Sequence, residues 1–385
     1  MQRRQLLTTL SAAGLSGCAT RRARVALPAT RLEVLPLVNA TVDRVFRITV
    51  CSRPFRASGP RLDVEKIGET TVIHNYGHGG SGWSLSWGSG RVVVDKALAM
   101  GAKEVAVVGC GALGITAATL AQRAGLKVTI YAKDRFPDVR SARATGSWTP
   151  DSRIALASKV AADFPALWEQ MTRYSFQTYQ SFFGLAGNPV EYYDRYFLMN
   201  KHDEGNEPPK PGELDFASYR NRIRDILPRN VDLEAPAHPF PTRYAVKGAS
   251  LTFNIAALSR QLVNDFFVEG GKFERREFRS PQELAALPEK VVIHSTGYGA
   301  RALFADETIV PVRGQIAWLL PQPELRYCLF YNGVFMLPRR DGIVVQAVGS
   351  GEMEGYNDPD ETPNRKEAED AVNVVAGLMA RMKRA

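Results

Sequence analysis

The sequence predicts a mixed α/β protein in which a Rossmann-like dinucleotide-binding domain is interleaved with a second, mixed-sheet domain. Three observations carry that expectation. Residues 104–132 read strand, glycine turn, helix, strand. A second glycine-rich segment lies upstream, at 72–90. And 385 residues exceed what one hydrophobic core ordinarily holds, which calls for two units.

Glu104-Val105-Ala106-Val107-Val108 is a short β-branched run of the kind buried in a parallel sheet. Gly109-Cys110-Gly111-Ala112-Leu113-Gly114 follows, then a helix-forming run that stops at Gly125 and a second apolar strand at 126–132. In such a unit Gly109 permits the tight turn, Gly111 lets the backbone approach a pyrophosphate, and Gly114 lets the helix pack against the sheet. The amides at the helix start, Ala112 and Leu113 among them, and the positive end of the helix dipole face the phosphates. Asp134 is the best match to the acidic residue that holds a ribose hydroxyl. Lys133, just before it, offers a phosphate contact instead. The turn by itself does not separate FAD from NAD(P).

The upstream cluster reads as a short strand, an irregular glycine loop and a helix from Arg91 onward. A loop followed by a helix start again brings backbone close to a ligand. Farther along, 166–184 has a helical pattern and 206–215 is polar and proline-rich. This middle part is expected to cover the site and select the side chain. Arg222, Arg224 and Arg229 offer attraction to an acidic group there, against the plainer reading of a solvated face. Arg339-Arg340-Asp341-Gly342 reads as a hairpin turn, and 361–385 as an amphipathic C-terminal helix.

Composition is that of a globular protein, 45% apolar and 23% charged, with a formal net charge of +9. No apolar run is long enough for a membrane-spanning helix, and no nucleic-acid partner is expected. Arg3 and Arg4, a short apolar stretch and Leu15-Ser16-Gly17-Cys18 read as a twin-arginine export signal ending in a lipoprotein box. The expectation is a bacterial periplasmic protein, or one anchored to a membrane through a lipid on Cys18. Cys51, Cys110 and Cys328 fit no metal motif and read as buried thiols. The histidines have no metal spacing either.

Four segments together resemble the D-amino-acid oxidase and D-aspartate oxidase family. VIHNYGHGGSGWSLSWG (72–88) is similar to the family's C-terminal signature, and CSRPFR (51–56) to the segment with its substrate-binding arginine. Residues 109–148, running into ATGSWTP, resemble its first βαβ unit and the segment after it. TGYGARAL (296–303) with VPVRGQI (310–316) resembles its returning flavin strand. The order differs from the family's: the arginine and HNYGHGG segments come first here, so the resemblance implies a circularly permuted chain.

The resemblance implies an FAD-binding domain at 57–155 plus 245–305 and a substrate-binding domain at 31–56, 156–244 and 306–360. It implies that His74, Gly79, Gly80, Ser81 and Gly82 approach the flavin. Arg53 would grip the substrate carboxylate, Tyr331 would donate a hydrogen bond to it, Phe335 would form a wall, and the Gly80 carbonyl would meet the ammonium. No acid–base catalyst is required for hydride transfer to a flavin. The implied activity is FAD-dependent oxidative deamination of a D-amino acid to a 2-oxo acid and ammonia, with oxygen or another acceptor taking the electrons. Oxidation of glycine, sarcosine or another secondary amine, a NAD(P)-dependent dehydrogenase, and a non-catalytic ligand-binding lipoprotein remain as alternatives.

Overall fold

The computed structural model describes residues 34–201, 212–349 and 351–383. The expected signal at Arg3, Arg4 and Cys18, and most of the proline-rich stretch at 206–215, lie outside the described residues. In chain order the first elements are β1 (Val45–Arg56), β2 (Val64–Ile67), β3 (Thr70–His74), α1 (Gly82–Ala99), β4 (Glu104–Val108), α2 (Ala112–Arg123) and β5 (Lys127–Ala132). Next come α3 (Phe164–Gln180), β6 (Val190–Met199), β7 (Val231–Glu234), β8 (Tyr244–Phe253), α4 (Ile255–Val268) and β9 (Lys272–Arg275). The chain continues through α5 (Pro281–Ala285), β10 (Val291–His294), α6 (Ala300–Leu303) and β11 (Ile309–Leu319). It closes with β12 (Tyr327–Tyr331), β13 (Val334–Arg339), β14 (Gly342–Ala347) and α7 (Arg365–Ala380).

These strands build two sheets. The six-stranded sheet has the order β2-β3-β10-β4-β5-β9. Its five strands from β3 to β9 run parallel, and β2 pairs antiparallel on the β3 edge. Val105, Val107, Ile130 and Ile293 are buried under helices α1, α2 and α4. This is the apolar run of a parallel sheet covered on its faces. The eight-stranded sheet has the order β1-β11-β14-β13-β12-β6-β8-β7 and is antiparallel except where β12 meets β6. Helix α7 packs its Ala368, Val372, Val375 and Leu378 against one face of it. The opposite face is left for the site. β8 is hydrogen-bonded into the larger sheet, so the chain re-enters the nucleotide-binding unit at α4 rather than at residue 245.

One expectation is corrected. The second half of the glycine cluster is not loop: α1 begins at Gly82, nine residues before Arg91. Its glycines are there for close packing. A Cβ on Gly88 would collide with the Met171 backbone of α3, and one on Gly90 would press on the Ala117 backbone of α2 at 3.3 Å. Burial of Trp87 and Trp168 between these helices outweighs the weak helix propensity of glycine.

Candidate active site

A cleft of about 1020 Å³ runs from the carboxyl ends of the parallel strands to the free face of the larger sheet. The carboxyl end of an open parallel sheet is where such folds bind ligands.

At the nucleotide end the cleft is walled by Gly109, Cys110, Gly111, Ala112 and Leu113. Gly109 has φ +108°, and a Cβ on it would collide with the Ser295 carbonyl, so the turn after β4 runs against the exit of β10. A Cβ on Gly114 would strike the Gly109 carbonyl. Gly114 does not line the cleft; it lets α2 start directly on the turn. The α2 N-cap, Gly111, provides no side-chain cap; the Ala112 amide donates instead to Ser141 Oγ at 3.0 Å, and an anion at this positive helix end would meet that hydroxyl as well as the helix amides. Asp134 lines the cleft two residues past β5. Lys133 also lines it, with its ammonium 3.5 Å from Glu277.

The HNYGHGG segment leaves β3 and turns beneath this cradle. Gly79, Gly80 and Gly82 line the cleft; Ser81 does not, and its hydroxyl donates to the Ser152 carbonyl at 3.0 Å. Gly79 has φ +54° and lies so close to Arg153 that any side chain would strike that residue's carbonyl. His74 corrects the sequence reading. It is fully buried behind the sheet end, with Nδ1 3.1 Å from His294 Nδ1 and Nε2 3.0 Å from Glu65. The histidine of this segment that lines the cleft is His78. Its Nε2 lies 2.8 Å from Ser89 Oγ, and burial pushes its imidazole down to about 3, so it is neutral.

Arg53 enters from β1. The Phe55–His78 bridge lays that strand alongside the glycine segment, so Arg53 and Gly80 border the same part of the cleft. The guanidinium lies across Gly314 of β11, where a Cβ would collide with Nη2. Its recorded hydrogen bond is from Nη1 to the Arg313 carbonyl, at 3.4 Å. No carboxylate of the described residues stands within ion-pair distance. Burial, and then the neighbouring Arg153, lower its pKa to about 10, so it keeps its charge at neutral pH.

The wall opposite is aromatic. Phe330 faces Phe197 on β6 and Phe335 on β13 across the sheet, and all three line the cleft. Tyr331 does not. Side chains alternate along a strand, and Tyr331 shares the other face with Tyr327 and Leu329, packed under α7. Its hydroxyl accepts a hydrogen bond from Arg381 Nη2 at 3.0 Å. Phe330 takes the cleft position instead. Arg195, Arg220 and Arg153 also line the cleft, and none of them stood out in the sequence. Arg222, Arg224 and Arg229 are exposed outside it, with Arg222 paired to Glu169. Cys110 and Cys328 are buried, whereas Cys51 is half-buried and borders the cleft.

Ser52 Oγ, His78 Nδ1 and Ser295 Oγ, all on cleft-lining residues, are buried with no hydrogen-bond partner among the described residues. Buried polar atoms are ordinarily paired. A cleft lined by such atoms, a glycine cradle and a helix start fits an elongated, polar, phosphate-bearing group.

A family described as "FAD dependent oxidoreductase" matches residues 104–384. The D-amino-acid oxidase of Dictyostelium discoideum is 25% identical over 282 residues, covering 71% of this chain and 72% of that protein. The D-amino acid oxidase of Dugesia ryukyuensis is 23% identical over 277 residues, covering 71% and 78%. Among solved structures, the L-amino acid deaminase from Proteus vulgaris aligns with a TM-score of 0.42 at 16% identity, over 64% of this chain and 61% of that one.

Proposed function

This chain belongs to the FAD-dependent oxidoreductase family, and from that premise we propose that it oxidises a D-amino acid at its α-carbon. The observation that supports this most directly is Arg53: a desolvated guanidinium without an acid partner among the described residues, bordering the cleft that holds the glycine cradle. A planar, forked cation in that state matches a carboxylate ligand.

FAD is the family's cofactor, and the residues present fit it. The turn at Gly109–Gly114 would hold the diphosphate, Asp134 a ribose hydroxyl, and Gly79, Gly80 and Gly82 would pass close to the ring system. When bound, FAD supplies the acceptor for the two electrons that leave the Cα–H bond. The chain's part is binding and exclusion. Arg53 fixes the carboxylate, the Gly80 carbonyl lies where it can accept from the amine, and Phe197, Phe330 and Phe335 keep water from the reacting carbon. His78, kept neutral by burial, is a weak base near neutral pH and orients rather than transfers. The substrate loses the Cα hydrogen with its electron pair and a proton from nitrogen. The imino acid then hydrolyses to the 2-oxo acid and ammonia. Oxygen, giving hydrogen peroxide, or another acceptor takes the two electrons and closes the cycle.

The test is direct. Purified protein is expected to be yellow, and anaerobic addition of a D-amino acid is expected to bleach the flavin while the L-enantiomer does not. Bleaching only by sarcosine or glycine would move the activity to that neighbouring class. A folded protein that neither carries nor takes up FAD would end the proposal.

A further inference from the structure

A chain of hydrogen bonds runs from the protein surface, behind the end of the parallel sheet, to the cleft. Its middle is a pair of histidines in register: His74 ends β3 and His294 ends the neighbouring β10. Both are fully buried, against the rings of Tyr76 and Phe304. Glu65 on β2, with a side chain 39% exposed, lies 3.0 Å from His74 Nε2. His74 Nδ1 lies 3.1 Å from His294 Nδ1, and His294 Nε2 lies 2.6 Å from Thr296 Oγ1. Thr296 lines the cleft at the glycine turn, where a Cβ on Gly109 would come 3.3 Å from its amide nitrogen.

The protons in this chain have one consistent order. Glu65 is ion-paired with Arg61 at 2.9 Å, and its carboxylate only accepts, so His74 carries its hydrogen on Nε2. Burial, and then Arg61, lower the pKa of His74, so the ring is neutral and its Nδ1 is a bare acceptor. His294 therefore donates from Nδ1. Burial, and then His74 and Arg61, hold His294 well below the ordinary histidine value, so its Nε2 is bare in turn. The Thr296 hydroxyl donates its proton to that nitrogen. What it offers the cleft is an oxygen with free lone pairs and no hydrogen. The other acids nearby are engaged elsewhere: Asp63 pairs with Arg61, and Asp306 with Arg56 and the Tyr76 hydroxyl. Glu65 is thus the group that sets the direction. Without a fixed acceptor there, the order can run the other way.

We propose that Glu65, His74 and His294 are positioning residues that hold the Thr296 hydroxyl as an acceptor toward the cleft, so that it takes a sugar or polyol hydroxyl of the bound group and not a phosphate oxygen. FAD carries such hydroxyls on both sides of its diphosphate, on the ribityl chain and on the ribose. The proposal rests on FAD binding in this cleft and is independent of which substrate is oxidised.

Two measurements test it. The first reads the tautomers in flavin-free protein carrying isotope-labelled histidine. At neutral pH the ring-nitrogen shifts are expected to show His74 protonated on Nε2 and His294 on Nδ1, each signal identified by its loss in His74→Asn or His294→Asn. A neutral His294 protonated on Nε2 overturns the proposal. The second is the FAD dissociation constant, followed by flavin fluorescence. Thr296→Val is expected to raise it about two- to tenfold, the range of one neutral hydrogen bond, and Thr296→Ser to leave it unchanged. Glu65→Leu is expected to raise it too, by no more than Thr296→Val, and the double variant to match Thr296→Val alone. Charge alone gives the opposite sign, because removing an acid favours an anionic ligand. A lowered constant in Glu65→Leu overturns the proposal. So do additive effects in the double variant, which is what a histidine pair that merely fills the sheet end would give. If Glu65→Leu does not fold, Glu65→Gln keeps the size, removes the fixed acceptor and takes its place in the cycle. A folded protein that takes up no FAD ends the cofactor reading and this proposal together, whereas FAD uptake with additive variants or the reversed tautomer removes this proposal alone.

Discussion

At the scale of single residues, the site separates groups that hold a ligand from groups that hold the fold. Arg53→Ala removes a buried charge-assisted contact and is expected to cost roughly 2–5 kcal/mol in kcat/KM, felt mainly as a higher KM. Tyr331→Phe is the opposite case. The hydroxyl meets Arg381 on the α7 side of the sheet, so KM is expected to stay unchanged while stability falls by about 1 kcal/mol. A large KM increase in Tyr331→Phe would put that side chain back in the cleft. The choice between Phe330 and Tyr331 was in fact legible. Asn332-Gly333 makes a two-residue turn with φ +45° and +71°, which pairs Tyr331 with Val334 and Phe330 with Phe335. Phe335 in the cleft then fixes Phe330 there. His74 against His78 was not legible. Which histidine of a glycine-rich segment turns toward a ligand depends on where β10, Ser89 and Glu65 sit: His294 is 220 residues from His74, and Glu65 and Ser89, though only 9 and 11 residues from their histidines, are brought to them by the tertiary fold.

At the scale of elements, the glycines of the 72–90 segment do two different jobs. Gly88 is packed against α3 backbone, so Gly88→Ala is expected to destabilise the protein by about 1–3 kcal/mol, read as a lower Tm with or without cofactor. Gly82 has helical φ and ψ and open space around its Cβ position, and it lines the cleft. Gly82→Leu is therefore expected to leave the Tm of the flavin-free protein nearly unchanged and to weaken FAD uptake. Local propensity could not reveal that Gly82–Gly90 is helical, because the deciding term is tertiary packing. The strand–turn–helix at 104–125 was readable because each of its features is local. Glu191 on β6 shows how elements are tied together. Its carboxylate accepts from Arg326, Arg340, Asn254 and Tyr193 at 2.6–3.0 Å, joining β6 to the β13–β14 turn and the start of α4. Burial alone would raise its pKa, but these donors hold it down to about 2. A depressed folded-state pKa gives stability that is complete above the ordinary glutamate value of about 4.3 and is lost as pH falls toward 2. Glu191→Gln is expected to flatten the fall in stability between those limits, which denaturant titrations across that pH range would measure.

At the scale of the whole molecule, the order of segments calls for its own explanation. The family match begins at β4 and leaves out β1, β2, β3 and α1, although these strands are built into both sheets and carry Arg53 and the HNYGHGG segment. The two ends of the described chain meet. The Val38 amide donates to Met379 Sδ at 3.3 Å, the Tyr327 hydroxyl to the Pro36 carbonyl at 2.7 Å, and Val38 and Ala40 pack with Leu378 and Met382. The joint between α1 and β4 is a short turn in which the Gly101 amide donates to the Leu98 carbonyl at 2.8 Å with φ +75°. We propose on these grounds that the chain is a circular permutation of the family order. Neighbouring termini and a tight surface turn make such an exchange thermodynamically cheap, since loop closure costs grow slowly with length. Breaking the chain between Gly101 and Ala102 and joining residue 383 to residue 34 through a short Gly-Ser linker reverses it. The rearranged protein is expected to bind FAD in one-to-one ratio and to oxidise the same substrates. A soluble rearranged chain that takes up no flavin would show instead that the α1–β4 turn is required to assemble the cleft, because α1 carries one wall of the site and β4 begins the other.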